Sequence, residues 1–417
     1  MGILDANHYL DPVQSPNFPF DAVLFDLDGT LVATDRFWPD AARAGALRAF
    51  EALGIQRQLP TSEQWMSMVG MPLEQGFDRV FEDLAQDQRK RVLKACVEEE
   101  QSLLKEGRVG LLPGVSKTLQ DLQDRGVAMG VASNCSQSYL DTMLEAGGLG
   151  QWVQEARCLE TPGVRNKADM IQELLILFQT RSAVMVGDRA GDRHAAWANG
   201  VPHVHLTRGY ADRGEGRGAE ALLPGMDGLV PRLLQRASWL EGVLEELCLG
   251  GDSGVLLILG PMGAGKSLLA RDLARTLEAR GKSAQCFDMA ALCADSLQSL
   301  KHSELENGDL VLATVPRAPL QNLLNAAGPG WKIVHGAFLQ QPWVLRLADR
   351  VLHVSADPEV RARRIHGGAL QERYPRLDRE WALGPGAQLS QESQVRFPSQ
   401  TIAHHSISGD NPLGPEA

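Results

Sequence analysis

The six cysteines of this 417-residue sequence include no C-x-x-C pair, so neither a zinc-site spacing nor a disulfide framework is present, and reduced, scattered thiols are expected. Positive charge is also short. Lys and Arg number 41 against 52 Asp and Glu, a formal net charge of -11. That balance argues against a protein that coats nucleic acid, which needs clustered cations to neutralise phosphates. No apolar run approaches the about 18 residues of a membrane-spanning helix. Met1 to Phe20 lacks the basic-then-apolar order of a signal peptide, and Ala6 stands where a myristoylation motif needs Ser or Thr. A cytoplasmic protein is the resulting expectation. Repeats and low-complexity tracts are missing, and the eight tryptophans are widely spread, which favours packing over base stacking.

What remains is ordinary globular material, 44% apolar and 22% charged, long enough for two or three domains. The first informative stretch is Phe25-Asp26-Leu27-Asp28-Gly29-Thr30. Ala22 to Phe25 is a short apolar run that suits a buried parallel strand. Asp26 and Asp28 would be carried to its carboxyl end, where open α/β sheets bind ligands. One such carboxylate can attack phosphorus while its neighbour moves a proton, and the pair can hold magnesium. A rival reading is an Asp-Gly turn closing a hairpin.

From Arg36 to about Gly107 helix-forming residues dominate. Helices are expected from Ala41 to Leu53, Ser62 to Met68, Glu74 to Leu84 and Gln86 to Lys105. Pro113-Gly114 then opens a helix ended by Gly126, and the strand Val127 to Ala132 delivers Ser133-Asn134. A helix from Asn166 to Phe178 has Lys167 near its start. The strand Ala183 to Val186 runs into Gly187-Asp188 and Asp192. Alternating strands and helices imply a parallel sheet with right-handed crossovers. Taken singly, Ser133-Asn134 reads equally well as a helix cap, Lys167 as a solvated residue and Asp188 as a turn acid.

Together, Asp26-Leu27-Asp28-Gly29-Thr30, Ser133-Asn134, Lys167 and Gly187-Asp188 with Asp192 resemble the four ordered motifs of the haloacid dehalogenase superfamily of phosphatases. The resemblance covers about residues 21 to 235. The helical insert resembles the small cap of phosphoglycolate phosphatase and β-phosphoglucomutase relatives, and Val69-Gly70-Met71-Pro72-Leu73 is similar to their cap loop. The resemblance implies that Asp26 is the nucleophile and Asp28 the proton shuttle. It implies Mg2+ held by Asp26, the Asp28 carbonyl and Asp188, with Asp192 in support. Ser133 and Lys167 would hold the phosphoryl oxygens. A second Asp in the first motif points to a phosphatase or phosphomutase, not a dehalogenase.

Leu233 to Leu249 reads as a helix and Gly250 to Gly254 as a flexible joint. Val255 to Leu259 is a second buried-strand signal, followed by Gly260-Pro261-Met262-Gly263-Ala264-Gly265-Lys266-Ser267. This matches G-x-x-x-x-G-K-[ST] in a strand-loop-helix context. Gly260, Gly263 and Gly265 let the loop cradle phosphates. Lys266 would reach the β- and γ-phosphates of ATP, and Ser267 would bind Mg2+. The order after the loop resembles the uridine kinase and phosphoribulokinase group. That resemblance implies Asp288 as base for an acceptor hydroxyl, and Arg363 or Arg364 as lid cations. A solvated helix face is the other reading of the arginines. His335 stands where that group usually has Glu, and the expected strand Leu310 to Thr314 ends without an acid.

The expected architecture is α/β in two domains. A Rossmann-like parallel sheet with a helical cap insert precedes a three-layer α/β/α P-loop kinase domain. Expected bounds are a flexible lead-in at 1–20, a phosphatase domain at 21–240 with its cap at about 33–110, a linker at 241–252, a kinase-like domain at 253–409 and a tail at 410–417. The leading expectation is a bifunctional enzyme whose partners are a small phosphomonoester and a small hydroxylated acceptor, nucleoside- or sugar-like. Three others stand beside it: a phosphatase regulated by a non-catalytic nucleotide-binding domain, a phosphomutase, and a nucleic-acid end-processing kinase-phosphatase. The acidic balance and the cap, which would obstruct a polymer end, count against the last.

Overall fold

The computed structural model describes residues 18–212, 214–247, 249–289, 292–293, 315–337, 339, 341–366 and 405–408. The expected tail at 410–417 and the strand at 310–314 lie outside them, as does the lead-in up to residue 17. Phe18 and Phe20, at the end of that lead-in, are buried. Two compact units form. One comprises residues 18–192, 205–216 and 223–231, the other 193–204, 217–222 and those described from 232 onward.

A six-stranded sheet runs in the order β3-β2-β1-β4-β5-β6, with β1 Ala22–Phe25, β2 Ala128–Ser133, β3 Glu155–Cys158, β4 Ala183–Gly187, β5 His203–Leu206 and β6 Ala221–Leu223. Both neighbours of β1 are parallel to it. Phe25 is level with Val131 on β2 and with Val186 on β4. The hairpin reading of Asp28-Gly29 is thereby overturned, because parallel strands occupy both edges of β1. Every residue of β1 is fully buried, as expected of a strand covered on both faces.

Between β1 and β2 stand four helices, α1 Trp38–Leu53, α2 Ser62–Met66, α3 Leu73–Val80 and α4 Gln86–Lys105. Pro39 sits in the first turn of α1, where no backbone donor is needed, and Gly54 ends it in the left-handed region. Thr61 and Gln64 form a reciprocal capping box on α2. The long helices α1 and α4 pack closely at Gly45, where a Cβ would fall 2.4 Å from Cys96 Cα. Trp38 of α1 meets Trp65 of α2 and Phe77 of α3 edge-on, and Phe81 packs on the latter two at tilted angles. All four are buried.

After β1 and its insert come α5 Val115–Asp124, α6 Gln137–Ala146, α7 Lys167–Leu177, α8 Ala190–Ala198 and α9 Leu229–Glu246. The expected linker at 241–252 therefore begins inside α9. Leu240, Val243 and Leu244 of this helix lie in the core of the second unit. There Arg236 and Asp272 form a fully buried ion pair between α9 and the later helix α10 Lys266–Ala279, with Nε to Oδ2 at 3.1 Å.

The second unit holds a five-stranded sheet in which each adjacent pair is parallel. Its strands are β7 Gly254–Leu259, β8 Ala284–Asp288, β9 Trp331–His335, β10 Arg350–Ser355 and β11 His405–Ser408, ordered β11-β10-β7-β9-β8. Alternate residues of β7 serve different cores: Leu257 and Leu259 face one cluster, Leu256 and Ile258 the other. Helix α10 covers the second of these, and Arg317–Ala326 contributes Leu320 and Leu324 to the first. A sheet buried on both faces follows from the period-two alternation of the strand.

Candidate active site

Parallel register fixes where the site lies. Because Phe25, Val131 and Val186 are level, the residues that follow them leave the sheet at one edge. Asp26 extends the ladder by one bond, its amide donating to Val186 O at 2.9 Å. The chain then turns at Gly29, φ 80°, where a Cβ would lie 2.5 Å from the Asp188 carboxylate. Only glycine fits both the backbone and the space.

Lys167 reaches the same point from α7. Asn166 caps that helix by accepting from the Ala168 and Asp169 amides at 2.8 and 3.1 Å, which places Lys167 in the first turn. Its Nζ donates to Asp26 Oδ1 at 2.7 Å and to Asp192 Oδ1 at 2.6 Å. All three groups are buried. Burial alone would lower the Lys167 pKa, but Asp192 and Asp26 outweigh it and hold the ammonium ionised. Burial and the charge of Asp192 push Asp26 up to about 7, against the opposing pull of Lys167. Burial, then Asp26 and Asp192, raise Asp188 well above the carboxylate range.

Carboxylate oxygens of Asp26, Asp188 and Asp192 lie within 4.8 Å of one another. Asp26 Oδ2 and Asp188 Oδ1 are buried without a hydrogen-bond partner. Three clustered acids facing one ammonium, with two orphaned oxygens, fit a hard divalent cation such as Mg2+. Asp192 is committed elsewhere, to Lys167 and to the Arg189 amide at 2.9 Å. That suits the supporting part expected of it.

Asp28 is set apart from this cluster. Its Oδ1 accepts from Thr34 Oγ1 at 2.5 Å and from Tyr139 Oη at 2.6 Å. Burial raises its pKa, and these two hydrogen bonds partly offset the rise. With Oδ1 occupied by donors, a proton on this carboxyl group belongs on Oδ2.

Asp28 also lines a pocket between the helical insert and the sheet edge, together with Ser133, Asn134, Tyr139, Trp38 and Glu100. Two hydrogen bonds tie the loop Val69–Leu73 over it: Asn134 Nδ2 to Gly70 O at 3.1 Å, and Arg189 Nη1 to Val69 O at 3.1 Å. The structure thus brings together Asp26, Asp28, Ser133, Lys167, Asp188 and Asp192.

Pocket residues that escape the motif-based reading include Thr34, Tyr139 and Glu100. Nothing in the local sequence marks Tyr139. Glu100 does leave a signal. Val92, Cys96 and Leu104 are buried on α4 at the spacing of one helix face, and Glu100 is the only charge on that stripe. Burial, with the nearby Asp28 charge, pushes its carboxyl up to about 8.

In the second unit Gly260, Gly263 and Gly265 form the loop between β7 and α10, with φ of 141°, 77° and 90°. Lys266 starts α10 and donates to Pro261 O at 2.7 Å. Ser267 Oγ lies 3.4 Å from His335 Nδ1, which lies 3.9 Å from Asp288 Oδ1. Ser267, His335 and Asp288 therefore meet at the carboxyl ends of β7, β9 and β8. Arg363 and Arg364 belong to the helix Pro358–His366, and their side chains lie outside the described residues. No described helix is long and apolar enough to cross a membrane.

Residues 23–206 match the family described as haloacid dehalogenase-like hydrolase. The phosphoglycolate phosphatase of Escherichia coli strain K12 is 27% identical over 209 residues, covering 45% of this chain and 81% of that protein. The Shigella boydii phosphoglycolate phosphatase gives the same identity and coverage. Among solved structures, a predicted phosphatase from Clostridium acetobutylicum shares 22% identity at a TM-score of 0.45, over 52% of this chain and 99% of that one. CbbY from Rhodobacter sphaeroides, solved with phosphate, shares 21% identity at a TM-score of 0.43, over 50% and 96%.

Glu100 yields a stability prediction. Its carboxyl is neutral in the folded chain up to about 8 but ionises in the unfolded chain from the ordinary glutamate range. The unfolded state therefore binds fewer protons between those values, and stability falls as pH rises through that window. Glu100→Gln should melt close to the wild type at pH 5 and above it at pH 8, measured by thermal denaturation. Residues 23–206 are thus similar to the haloacid dehalogenase-like hydrolases.

Proposed function

We propose that the first unit is a phosphomonoester hydrolase working through an aspartyl-phosphate. The observation that carries this reading is the separation of two carboxyls at one strand end, Asp26 on Lys167 and Asp28 on Thr34 and Tyr139. An Asp26 carboxylate oxygen attacks phosphorus, and the bond from phosphorus to the alcohol oxygen breaks. The proton on Asp28 passes to that oxygen, and the alcohol leaves. Water then attacks the phosphorus of the acyl phosphate while Asp28 takes its proton, releasing phosphate and restoring Asp26. Raised by burial, Asp28 is suited to carry the proton in the first step. Ser133 and Lys167 hold the phosphoryl oxygens. Mg2+, held by Asp26, Asp188 and the Asp28 carbonyl with Asp192 in support, would offset phosphoryl charge. The relatives' name makes 2-phosphoglycolate the first ester to assay. Asp26→Asn should lower hydrolysis of p-nitrophenyl phosphate by at least about 1,000-fold in steady-state kinetics; a variant with wild-type activity would exclude Asp26 as the nucleophile.

A second reading concerns the other unit. A glycine loop between a buried strand and a 14-residue helix, with Lys266 and Ser267 in its first turn, suits the phosphates of ATP. As a kinase, this unit would use Asp288 as base toward a hydroxylated metabolite, with Arg363 or Arg364 as lid cations. His335 between Ser267 and Asp288 favours the non-catalytic alternative, a nucleotide-binding regulator, because a histidine occupies the place beside the magnesium-binding serine. Loss of the lysine's charge-assisted bonds should weaken ATP binding roughly 10- to 100-fold in Lys266→Ala, read by calorimetry. Consumption of ATP with a panel of nucleosides and sugars separates kinase from regulator, and unaltered binding by the variant would sink both.

A further inference from the structure

Glu100 is buried to 6% exposure and lines the pocket above Asp28, and its carboxyl group makes no hydrogen bond among the described residues. A carboxyl group is costly to bury without a partner. Its position on the apolar stripe of α4, where Val92, Cys96 and Leu104 are buried, gives it no structural task in the helix. The rest of the pocket offers no counter-charge. Its lining consists of apolar groups such as Trp38, Met68, Met71 and Leu73, of neutral polar groups, and of the two acids Asp28 and Glu100, with no lysine or arginine.

We propose that Glu100 selects the leaving group, pairing with a hydroxyl or ammonium donor on the alcohol half of the substrate and excluding esters whose alcohol half carries a carboxylate. The proposal rests on the phosphatase reading above. The phosphoryl end of a substrate meets Lys167 and the metal-fitting acids, so the alcohol oxygen must face Asp28, and the remainder of that alcohol fills the pocket toward Glu100. A hydroxyl can donate to Glu100 when it is ionised and accept from it when it is protonated. An ammonium would draw Glu100 into its ionised form and pair with it. A carboxylate would instead be desolvated in a pocket lined by two acids and no lysine or arginine, its only strong partner a Glu100 forced to stay protonated, which is the unfavourable element that specificity requires. A site that leaves its buried polar group unpaired with the wrong substrate discriminates strongly.

The test compares kcat/KM of the full-length wild type for glycerol 1-phosphate, phosphoethanolamine and 2-phosphoglycolate, with p-nitrophenyl phosphate as a generic ester. Wild type should turn over 2-phosphoglycolate at least about tenfold less efficiently than the better of the hydroxyl and amine esters. In Glu100→Gln that ratio should shrink by about tenfold or more. Ratios within one protein cancel any loss of folded enzyme, and the wild-type ranking stands without the variant. A preference of the wild type for 2-phosphoglycolate, or a ratio unchanged by Glu100→Gln, overturns the proposal. Hydrolysis of p-nitrophenyl phosphate with none of the hydroxyl or amine esters accepted overturns it while leaving the phosphatase reading intact. If no ester at all is hydrolysed, the phosphatase reading itself fails and the proposal with it.

Discussion

Everything at the first site depends on one buried ammonium. Lys167 lies between Asp26 and Asp192 at hydrogen-bond distance from both, in surroundings where an unpaired charge of any of the three would cost several kcal/mol. The pairing orients Asp26 and fixes the start of α7 against the end of β1 and the first turn of α8. It still leaves the cluster short of positive charge, since Asp188 adds a third carboxylate within 4.8 Å. That imbalance raises Asp26 and Asp188 and makes the site fit for a divalent cation and a phosphoryl group. Charge deficit and catalytic fitness are therefore the same property of this cluster.

Much of this was legible in the residue pattern, for a physical reason. β1 is a four-residue apolar run, and strands buried on both faces have to be. Helices α4 and α10 carry long periodic stretches, and α7 starts at an asparagine cap. The strands that escaped notice are mostly sheet edges. β3, β6 and β11 lie at the ends of their sheets, and a half-covered strand such as Glu155–Cys158 has no continuous apolar run to announce it. β5 is buried throughout but carries two histidines. The linker expected at 241–252 fell partly inside α9, since the glycines from Gly250 onward mark a turn after the helix rather than the boundary of a packed unit. Motif spacing named six residues that the fold brings to one sheet edge. Glu100 and Tyr139 were not located, because what makes them matter is a tertiary pocket that one-dimensional order does not record.

The helical insert and the sheet divide the work. The sheet edge carries Asp26, Lys167, Asp188 and Asp192, held by backbone register and buried ion pairs. The insert contributes the pocket wall, held by aromatic packing and two hydrogen bonds to the loop Val69–Leu73. The second unit also joins a parallel sheet, a glycine turn and a lysine at a helix start, here Gly260 to Lys266.

The central claim is that Asp26 becomes covalently phosphorylated. Acid-quenching the wild type during turnover, reducing with borohydride and sequencing the peptides by mass spectrometry tests it directly, because reduction of an aspartyl-phosphate leaves homoserine in its place. The account predicts homoserine at position 26 and nowhere else. Turnover with an unmodified Asp26, or with the modification on another acid, would contradict it.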